Sequence, residues 1–599
     1  MKEKVVLAIH GSHDASITLL DKTGKLRVIE VERIVKKRYA AFSSDYNDRS
    51  FGITDEDRMC VIEYINSLID DDNPITHLIF SHLNADDLEM IHANVKLVKG
   101  GTVCSCFSSH HLTHAFGSHY QSNLDKTIIL SIDGGGAEPE IASRQTQPDI
   151  VYTKVYLGDY DKISEQAFWN TDFGGAYSAI GWAISELSKR EDDALSWAGK
   201  LMGLCGYGKV REEWKQPMLD YYQSITSDLS QRVDTGQPLK GLYKVLCSTG
   251  DITQSKDPLE DDHVRTFDAN QLSGEVSYDL AATSQWAFEF LLFQWVQYWV
   301  DKYPERDLIM TGGCALNVLF NQKVAEYMHA RGRKVYVPPN PNDCGCSLGM
   351  FFAAHKTQFT QTYTEHSSPT NETTTTFPTM LCDSQNVSYR GVTPVYDGVE
   401  LLDKDRLETY VEERGARKIE TSEIVDLLKD GKIIGLVYGD SEIGPRALGN
   451  RSIICDPSFK NMKDTLNAKV KFREWYRPFA PVCLLNDSHR YFHDVYESNY
   501  MSYAPVVRRE FEENLAAITH VDKTSRLQTV CEETGHEVFR DILVEMKTRG
   551  EIPVILNTSF NIKGFPILTT IEDALHVLDN TELDYVIVEG YLFSNDKVS

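Results

Sequence analysis

An apolar, β-branched run that breaks into a glycine turn occurs three times in the first half of the chain. "VVLAIHGSHDAS" starts at Val5, "TIILSIDGGGAE" at Thr127 and "DLIMTGGCALN" at Asp307. Each predicts a strand that delivers a small-residue turn carrying a polar side chain. Glycine at such a turn lets backbone N–H groups approach a phosphate closely. Three turns spread over about 310 residues predict a nucleotide held between two related α/β halves, with Gly135, Gly136, Gly312 and Gly313 on the binding turns. "EVSYDLAATSQWAFEFLLFQWVQYWVDKY", from Glu275, is apolar at helical spacing and predicts one long core helix packed through its Trp and Phe stripe. "GKIIGLVYGDSEIGPRALGNRS", from Gly431, predicts a strand that ends in a turn rich in Gly, Pro and Arg.

Two stretches lack any apolar period. Gln358–Thr379 is Thr/Ser-rich and predicts a linker. It divides the chain into residues 1–357, a polar connection over 358–392, and residues 393–599. Few contacts are expected to cross such a segment. Gln223–Asp262 predicts an exposed insertion.

Length supports this division, since 599 residues exceed one ordinary core. No apolar run reaches membrane-spanning length, and the first residues do not read as a signal peptide. The 12 cysteines are scattered, which predicts reduced thiols and a cytoplasmic protein. "CSC" at Cys104–Cys106 and "CGC" at Cys344–Cys346 read as small buried thiols, because no second close pair completes a tetrahedral thiolate pattern. A net charge of −27 argues against nucleic acid as a partner. The charge is uneven, however. Lys432–Arg477 carries nine Lys/Arg against five Asp/Glu, and arginines among Gly, Pro and aromatics suit a small anionic ligand.

His110 and His114 stand four apart in "SSHHLTHAFGSHY", so a helix places both on one face. Two imidazoles can share a divalent metal but cannot complete its shell. Asp133 on the second glycine turn and Asp343 in "PPNPNDCGCSLGM" supply the missing carboxylates. The four make a set suited to Fe2+, Mn2+ or Zn2+.

The order of "HHLTHA", "AGKLMGLCGYGK", "GGCALN", "EIGPRALGNRS", "KFREWYRPFAP", "VDKTSRLQTV" and "PVILNTSFNIKGFPI" resembles the O-carbamoyltransferase family, which includes nodulation carbamoyltransferases and tobramycin carbamoyltransferase. The resemblance implies an α/β fold: an N-terminal duplicated domain of the actin and sugar-kinase (ASKHA) type, similar to the metal-binding protein of tRNA threonylcarbamoylation, followed by a YrdC-like domain. It implies that the C-terminal domain makes carbamoyl-adenylate from carbamoyl phosphate and ATP, with Mg2+, and that the N-terminal domain passes the carbamoyl group to a hydroxyl. His110, His114, Asp133 and Asp343 match the family's metal ligands, usually iron. Gly312, Gly313 and Asn317 match its adenosine-side turn. Lys471 and Arg473 match the Lys-x-Arg of YrdC domains, and Ser559 and Asn561 their Ser-x-Asn. Arg446, Arg477 and Arg526 fall on motif arginines. His13, on the first glycine turn, is the candidate for activating the acceptor alcohol. Phe565 stands where the family commonly has an acidic residue.

An ASKHA ATPase or kinase would account for the glycine turns but not for the Lys-x-Arg and Ser-x-Asn pairs. A threonylcarbamoyl-type tRNA-modifying enzyme would account for both domains, but the charge disfavours tRNA. The implied partners are carbamoyl phosphate and a small-molecule alcohol: a sugar, an aminoglycoside, a macrolactam or a toxin alcohol. A homodimer is admitted; a membrane partner is not expected.

Overall fold

The computed structural model describes residues 5–105, 110–138, 149–169, 171–187, 195–224, 272–356, 362–368, 371–376, 391–532 and 536–595. The insertion at 223–262 lies almost wholly outside them, as does Cys106.

The first five strands are β1 (Val6–His10), β2 (Ser16–Leu20), β3 (Leu26–Glu30), β4 (Ile75–Ser81) and β5 (Leu97–Ser105). They form a sheet in the order β3-β2-β1-β4-β5. β1–β2 and β2–β3 are antiparallel, whereas β1–β4 and β4–β5 are parallel. The next five are β6 (Lys126–Glu138), β7 (Asp149–Asp159), β8 (Lys162–Trp169), β9 (Asp307–Thr311) and β10 (Val335–Tyr336). Their order is β10-β9-β6-β7-β8. β6–β7 and β7–β8 are antiparallel, and β6–β9 and β9–β10 parallel. β6–β10 thus repeat β1–β5 strand for strand, the duplication that the resemblance to the actin and sugar-kinase superfamily implies.

Two helices lie between the repeated sheets. The helix His110–Ser122 packs on the second sheet and the helix Cys346–Lys356 on the first. Phe116 and Tyr120 of one join Leu348, Phe351 and Phe352 of the other in one buried cluster with Val6 and Ala8. Their crossing is close. A Cβ on Gly349 would sit 1.8 Å from the Thr113 carbonyl oxygen, so no side chain fits there. The crossing brings both helix starts to the end of β1 and the middle of β6. The helix Glu275–Lys302 is the single long core helix the pattern predicts, with Phe288, Leu292, Val296 and Trp299 in the largest buried cluster.

Within the polar stretch, β11 (Thr362–Ser368) and β12 (Asn371–Thr376) pair as an antiparallel ladder. The C-terminal strands are β13 (Arg417–Lys418), β14 (Ile434–Val437), β15 (Arg451–Cys455), β16 (Ala480–Leu484), β17 (Gln528–Val530), β18 (Val554–Ser559), β19 (Tyr585–Val588) and β20 (Tyr591–Ser594). They make one mixed sheet, β13-β20-β19-β14-β15-β18-β16-β17, with buried clusters on both faces.

The expectation of few contacts between the units is overturned. Arg27, almost wholly buried, pairs with Asp21 of its own sheet and with Glu400 and Asp440 of the later chain. Arg33, also buried, donates from Nε to Glu30 at 2.8 Å and from Nη2 to the Gly444 carbonyl oxygen at 2.8 Å. Glu30 in turn accepts from the Gly444 N–H. Asn321 reaches the Ser502 carbonyl and His520 the Gly203 carbonyl, both at 3.0 Å. Buried ion pairs are destabilising once one partner is removed, so the units are bound as one body. A polar connecting segment says nothing of what its flanks bury.

Candidate active site

The first cluster is built where the two crossing helices meet the end of β1 and the middle of β6, at Asp133. His110 and His114, one turn apart and buried, place their Nε2 atoms 3.2 Å from each other. Asp133 Oδ2 lies 3.1 Å from His110 Nε2 and 3.0 Å from His114 Nε2. Asp133 Oδ1 accepts from the Gly134 N–H at 2.7 Å. Asp343, in the short turn before the second helix, puts Oδ1 at 3.6 Å and 3.5 Å from the same two nitrogens. Burial would raise both carboxyls, and the Asp343 charge would raise Asp133 further, yet the imidazoles hold Asp133 and Asp343 below the usual carboxylate range.

The donor spacing tests whether a cation fits. Ligands at about 2.1 Å from a divalent metal lie about 3.0 Å apart on octahedral edges and about 3.4 Å apart on tetrahedral ones. The observed edges, 3.0–3.6 Å, match. Two imidazoles and two carboxylates aimed at one point suit a borderline divalent metal.

Asp343 also serves a second side. Its Oδ2 is 3.7 Å from His13 Nε2 and 3.6 Å from His10 Nε2. His13 pairs through Nδ1 with Asp14 at 3.0 Å. Burial alone would lower its affinity for a proton, but the Asp14 and Asp343 carboxylates raise it above the usual histidine range. His10 ends β1 and is fully buried; Nδ1 lies 2.8 Å from Ser81 Oγ, and Nε2 has no hydrogen-bond partner. The sequence reading missed His10. Its signal was present: it flanks Gly11 in the same turn as His13.

The glycine turns converge beside Asp133. Gly312 has φ +84°, and a Cβ there would sit 2.2 Å from the Ile132 carbonyl oxygen; one on Gly313 would sit 3.0 Å from Asp133 Oδ1. A Cβ on Gly174, at the start of the helix Phe173–Ile180, would meet Gly134 Cα at 3.0 Å. The second predicted turn is in fact a bulge. β6 continues through Gly135 and Gly136 to Glu138, with its register shifting between Ile132 and Gly136. Asn317 caps the helix Val318–His329 by accepting from the Phe320 N–H at 3.1 Å, and its amide exchanges hydrogen bonds with Gln285.

The second cluster is cationic. A π-helical turn, Leu466–Val470, ends at Lys471, and Phe472 takes φ +49°. Buried Lys471 donates from Nζ to the Ser559 carbonyl at 2.5 Å, the Asn561 carbonyl at 2.7 Å and Asn561 Oδ1 at 2.5 Å. Its ammonium therefore pins the Ser559–Asn561 turn. Arg473 donates to Asn467 Oδ1 at 2.6 Å and lies over the Phe479 ring. Burial, then repulsion from Arg473, Arg477 and Arg38, pushes Lys471 well below the usual range. Burial, then neighbouring arginines, does the same to Arg473 and Arg526. Arg446 is lowered to about 10 by burial and Arg477. Glu474 pairs with Arg477 at 3.6 Å and with buried Lys200 at 3.4 Å. Crowded cations with so little counter-charge suit a polyanion. Phe565 is exposed, and its backbone makes its hydrogen bonds: the carbonyl accepts from Asn561 Nδ2 at 2.7 Å and the N–H donates to the Ile562 carbonyl at 3.3 Å. That explains how a Phe can stand there.

One turn joins the clusters. Gly444, in "EIGPRALGNRS", has φ +85°, and a Cβ there would sit 2.1 Å from the Pro339 carbonyl oxygen, in the loop that leads to Asp343. Two residues on, Arg446 enters the cationic cluster.

Two family models match the chain. "Carbamoyltransferase N-terminus" covers residues 87–352 and "Carbamoyltransferase C-terminus" residues 425–595. Nodulation protein U of Azorhizobium caulinodans is 30% identical over 442 residues, 72% of this chain and 69% of that protein. Nodulation protein NolNO of Sinorhizobium fredii is 28% identical over 503 residues, 82% of this chain. The chain spans 64% of the length of NolNO and 78% of Nodulation protein NolO of Bradyrhizobium diazoefficiens. The solved structure of full-length HypF in its phosphate- and nucleotide-bound form is 14% identical, covering 59% of this chain and 46% of that one, with a TM-score of 0.33, too low to bear on fold or function. Matched by family models over both units and by a relative at 30% identity, the chain is an enzyme of the carbamoyltransferase family.

Proposed function

We propose that the protein is an ATP-dependent O-carbamoyltransferase whose two units, residues 1–357 and 393–599, divide the reaction. The YrdC-like C-terminal unit takes carbamoyl phosphate and Mg2+-bound ATP. Water releases carbamate and phosphate from carbamoyl phosphate, a carbamate oxygen attacks the α-phosphorus of ATP, and pyrophosphate leaves. Lys471, Arg473, Arg477, Arg446 and Arg526 hold the anionic groups, and the Ser559–Asn561 turn positions them. Carbamoyl-adenylate then passes to the N-terminal unit, where Gly135, Gly136, Gly312, Gly313 and the helix capped by Asn317 shape the adenosine side. The oxygen of a small-molecule alcohol attacks the carbamoyl carbon, its proton goes to His13 in the neutral form, which Asp14 and Asp343 make more basic and which becomes more populated as pH rises, and AMP leaves. A divalent cation, iron by preference, held by His110, His114, Asp133 and Asp343 would supply Lewis acidity.

The observation that supports this reading most is the Gly444 turn, which abuts the Asp343 loop on one side and delivers Arg446 to the cationic cluster on the other. An intermediate that water would destroy needs two sites held this firmly together. The acceptor in this reading is a hydroxyl of a sugar or another small-molecule natural product. The test is incubation with isotope-labelled carbamoyl phosphate, ATP and a panel of alcohols, followed by mass spectrometry. A labelled carbamate ester that requires ATP supports the reading; label transfer without ATP, or ATP turnover without any carbamate ester across sugars, aminoglycosides and macrolactams, contradicts it.

A further inference from the structure

We propose that Cys346 is a thiolate ligand of the cation assigned above to His110, His114, Asp133 and Asp343. The proposal rests on that reading and adds a donor to it.

Cys346 is the first residue of the helix Cys346–Lys356 and is 1% exposed. Its Sγ lies 3.6 Å from His114 Nε2. That sulfur and donor atoms of His110, His114 and Asp343 all lie within 4.8 Å of one another. With metal–sulfur and metal–nitrogen distances of about 2.3 and about 2.1 Å, a tetrahedral S···N edge is about 3.6 Å and an octahedral diagonal about 4.4 Å. The thiol therefore sits where a ligand sits beside His110, His114 and Asp343, whereas Asp133 lies outside this group of four and must shift for all five donors to share one ion. The position is fixed by backbone: the approach of Gly349 to Thr113 locks the helix that carries Cys346 against the one that carries His110 and His114. Asp343 and Cys346 are three apart across the start of the helix, so both face the histidines.

Two neighbouring side chains border this donor set. His10 Nε2 is buried, aimed at Asp343 from 3.6 Å, and has no hydrogen-bond partner. Cys344, two residues before Cys346 and equally buried, turns away, with Sγ 3.0 Å from Asn342 Oδ1. The reading of "CGC" as two inert thiols therefore holds for Cys344 and is replaced for Cys346. A thiolate in the set favours Fe2+, Co2+ or Zn2+ over Mg2+ or Mn2+, and loading the metal releases the thiol proton.

The experiment uses the full chain, stripped with a chelator and reloaded with one equivalent of Co2+. Bound cobalt is measured by elemental analysis, and thiolate ligation by the near-ultraviolet sulfur-to-cobalt charge-transfer band. The wild type and Cys344→Ser are expected to show the band. Cys346→Ser is expected to lose it while still binding cobalt, at least tenfold more weakly. His114→Ala is expected to lose cobalt and band together. Stoichiometric cobalt in the wild type without the band, or a band that survives Cys346→Ser, overturns the thiolate and leaves the His/Asp site standing. A His114→Ala protein that binds cobalt as tightly as the wild type overturns the metal site and the thiolate with it.

Discussion

Replacing Lys471 by Met separates the chemistry of the cationic cluster from its stability. The ammonium makes three short contacts to Ser559 and Asn561. Hydrogen bonds to charged groups contribute about 1.5–3 kcal/mol each, so about 5–9 kcal/mol is lost. Against this, Lys471 is a buried cation crowded by Arg473, Arg477 and Arg38. Keeping such a charge out of water costs several kcal/mol, which Met does not incur, and the methylene stem is conserved. The two effects offset to within about 2 kcal/mol. For a unit of about 200 residues that is a change in Tm of no more than roughly 8 °C. Catalysis has no such offset. The cluster loses a positive charge and the Ser559–Asn561 turn its pin, and pyrophosphate release from ATP and carbamoyl phosphate is expected to fall 10²–10³-fold, the usual scale for a lost electrostatic contact. Lys471→Arg is not expected to rescue it, since a planar fork cannot meet three acceptors arranged around an ammonium. The assays are differential scanning calorimetry and enzymatic pyrophosphate detection. A fall in Tm well beyond 10 °C, or unaltered pyrophosphate release, refutes the reasoning.

His13→Ala is expected to keep pyrophosphate release and to lose about 10²–10⁴-fold in carbamate ester formation; loss of both in a folded protein, read by pyrophosphate and product mass together, counts against two separate sites. Gly444→Ala meets both a positive φ and the Pro339 carbonyl, so the Tm is expected to drop by several degrees and ester formation to fall more than pyrophosphate release; a variant indistinguishable from the wild type in both removes this turn as the joint between the clusters. His536 caps the helix Glu537–Thr548 by accepting at Nδ1 from the Phe539 N–H while Nε2 meets Asn450, and burial, with Arg540, lowers its pKa to about 4. Its folded pKa lies below the unfolded value of about 6.5, so its contribution is full above about pH 6.5 and is lost as pH falls toward 4. The decline in Tm between pH 7 and 5 is expected to be shallower in His536→Asn, which caps without titrating; an equal decline contradicts it.

How much of this was legible along the chain depended on the range of each interaction. His110 and His114 could be paired because helical spacing fixes their common face, and the strands before Gly11 and Gly312 because alternation and glycine are local signals. The second glycine run misled for the same reason. Three glycines read as a turn, whereas β7 pairs on past them, from Gly136 with Val151 to Glu138 with Asp149, and the excess residues become a bulge. The three strand-and-glycine signals and the resemblance carried the duplication, but no local signal carried the pairing of β6 with β9, which spans the long helix and the insertion. Cys346 was discounted on the absence of a second thiol pair, although its three-residue offset from Asp343 placed both at one helix start. The joint between the units was misjudged because Arg27 and Arg33 look like ordinary charges in a polar segment. Only burial against Asp440 and Gly444 reveals their part in holding the two sites together.

The central claim is that this chain activates a carbamoyl group with ATP before any acceptor is present. The most direct measurement incubates the full chain with ATP and ¹³C-labelled carbamoyl phosphate, without an alcohol, and follows pyrophosphate and the nucleotide products by mass spectrometry. The expected result is pyrophosphate release that requires both substrates, with the label on an adenylate. Pyrophosphate that appears equally without carbamoyl phosphate, ADP in place of pyrophosphate, or no turnover at all in a folded, metal-loaded protein contradicts the account.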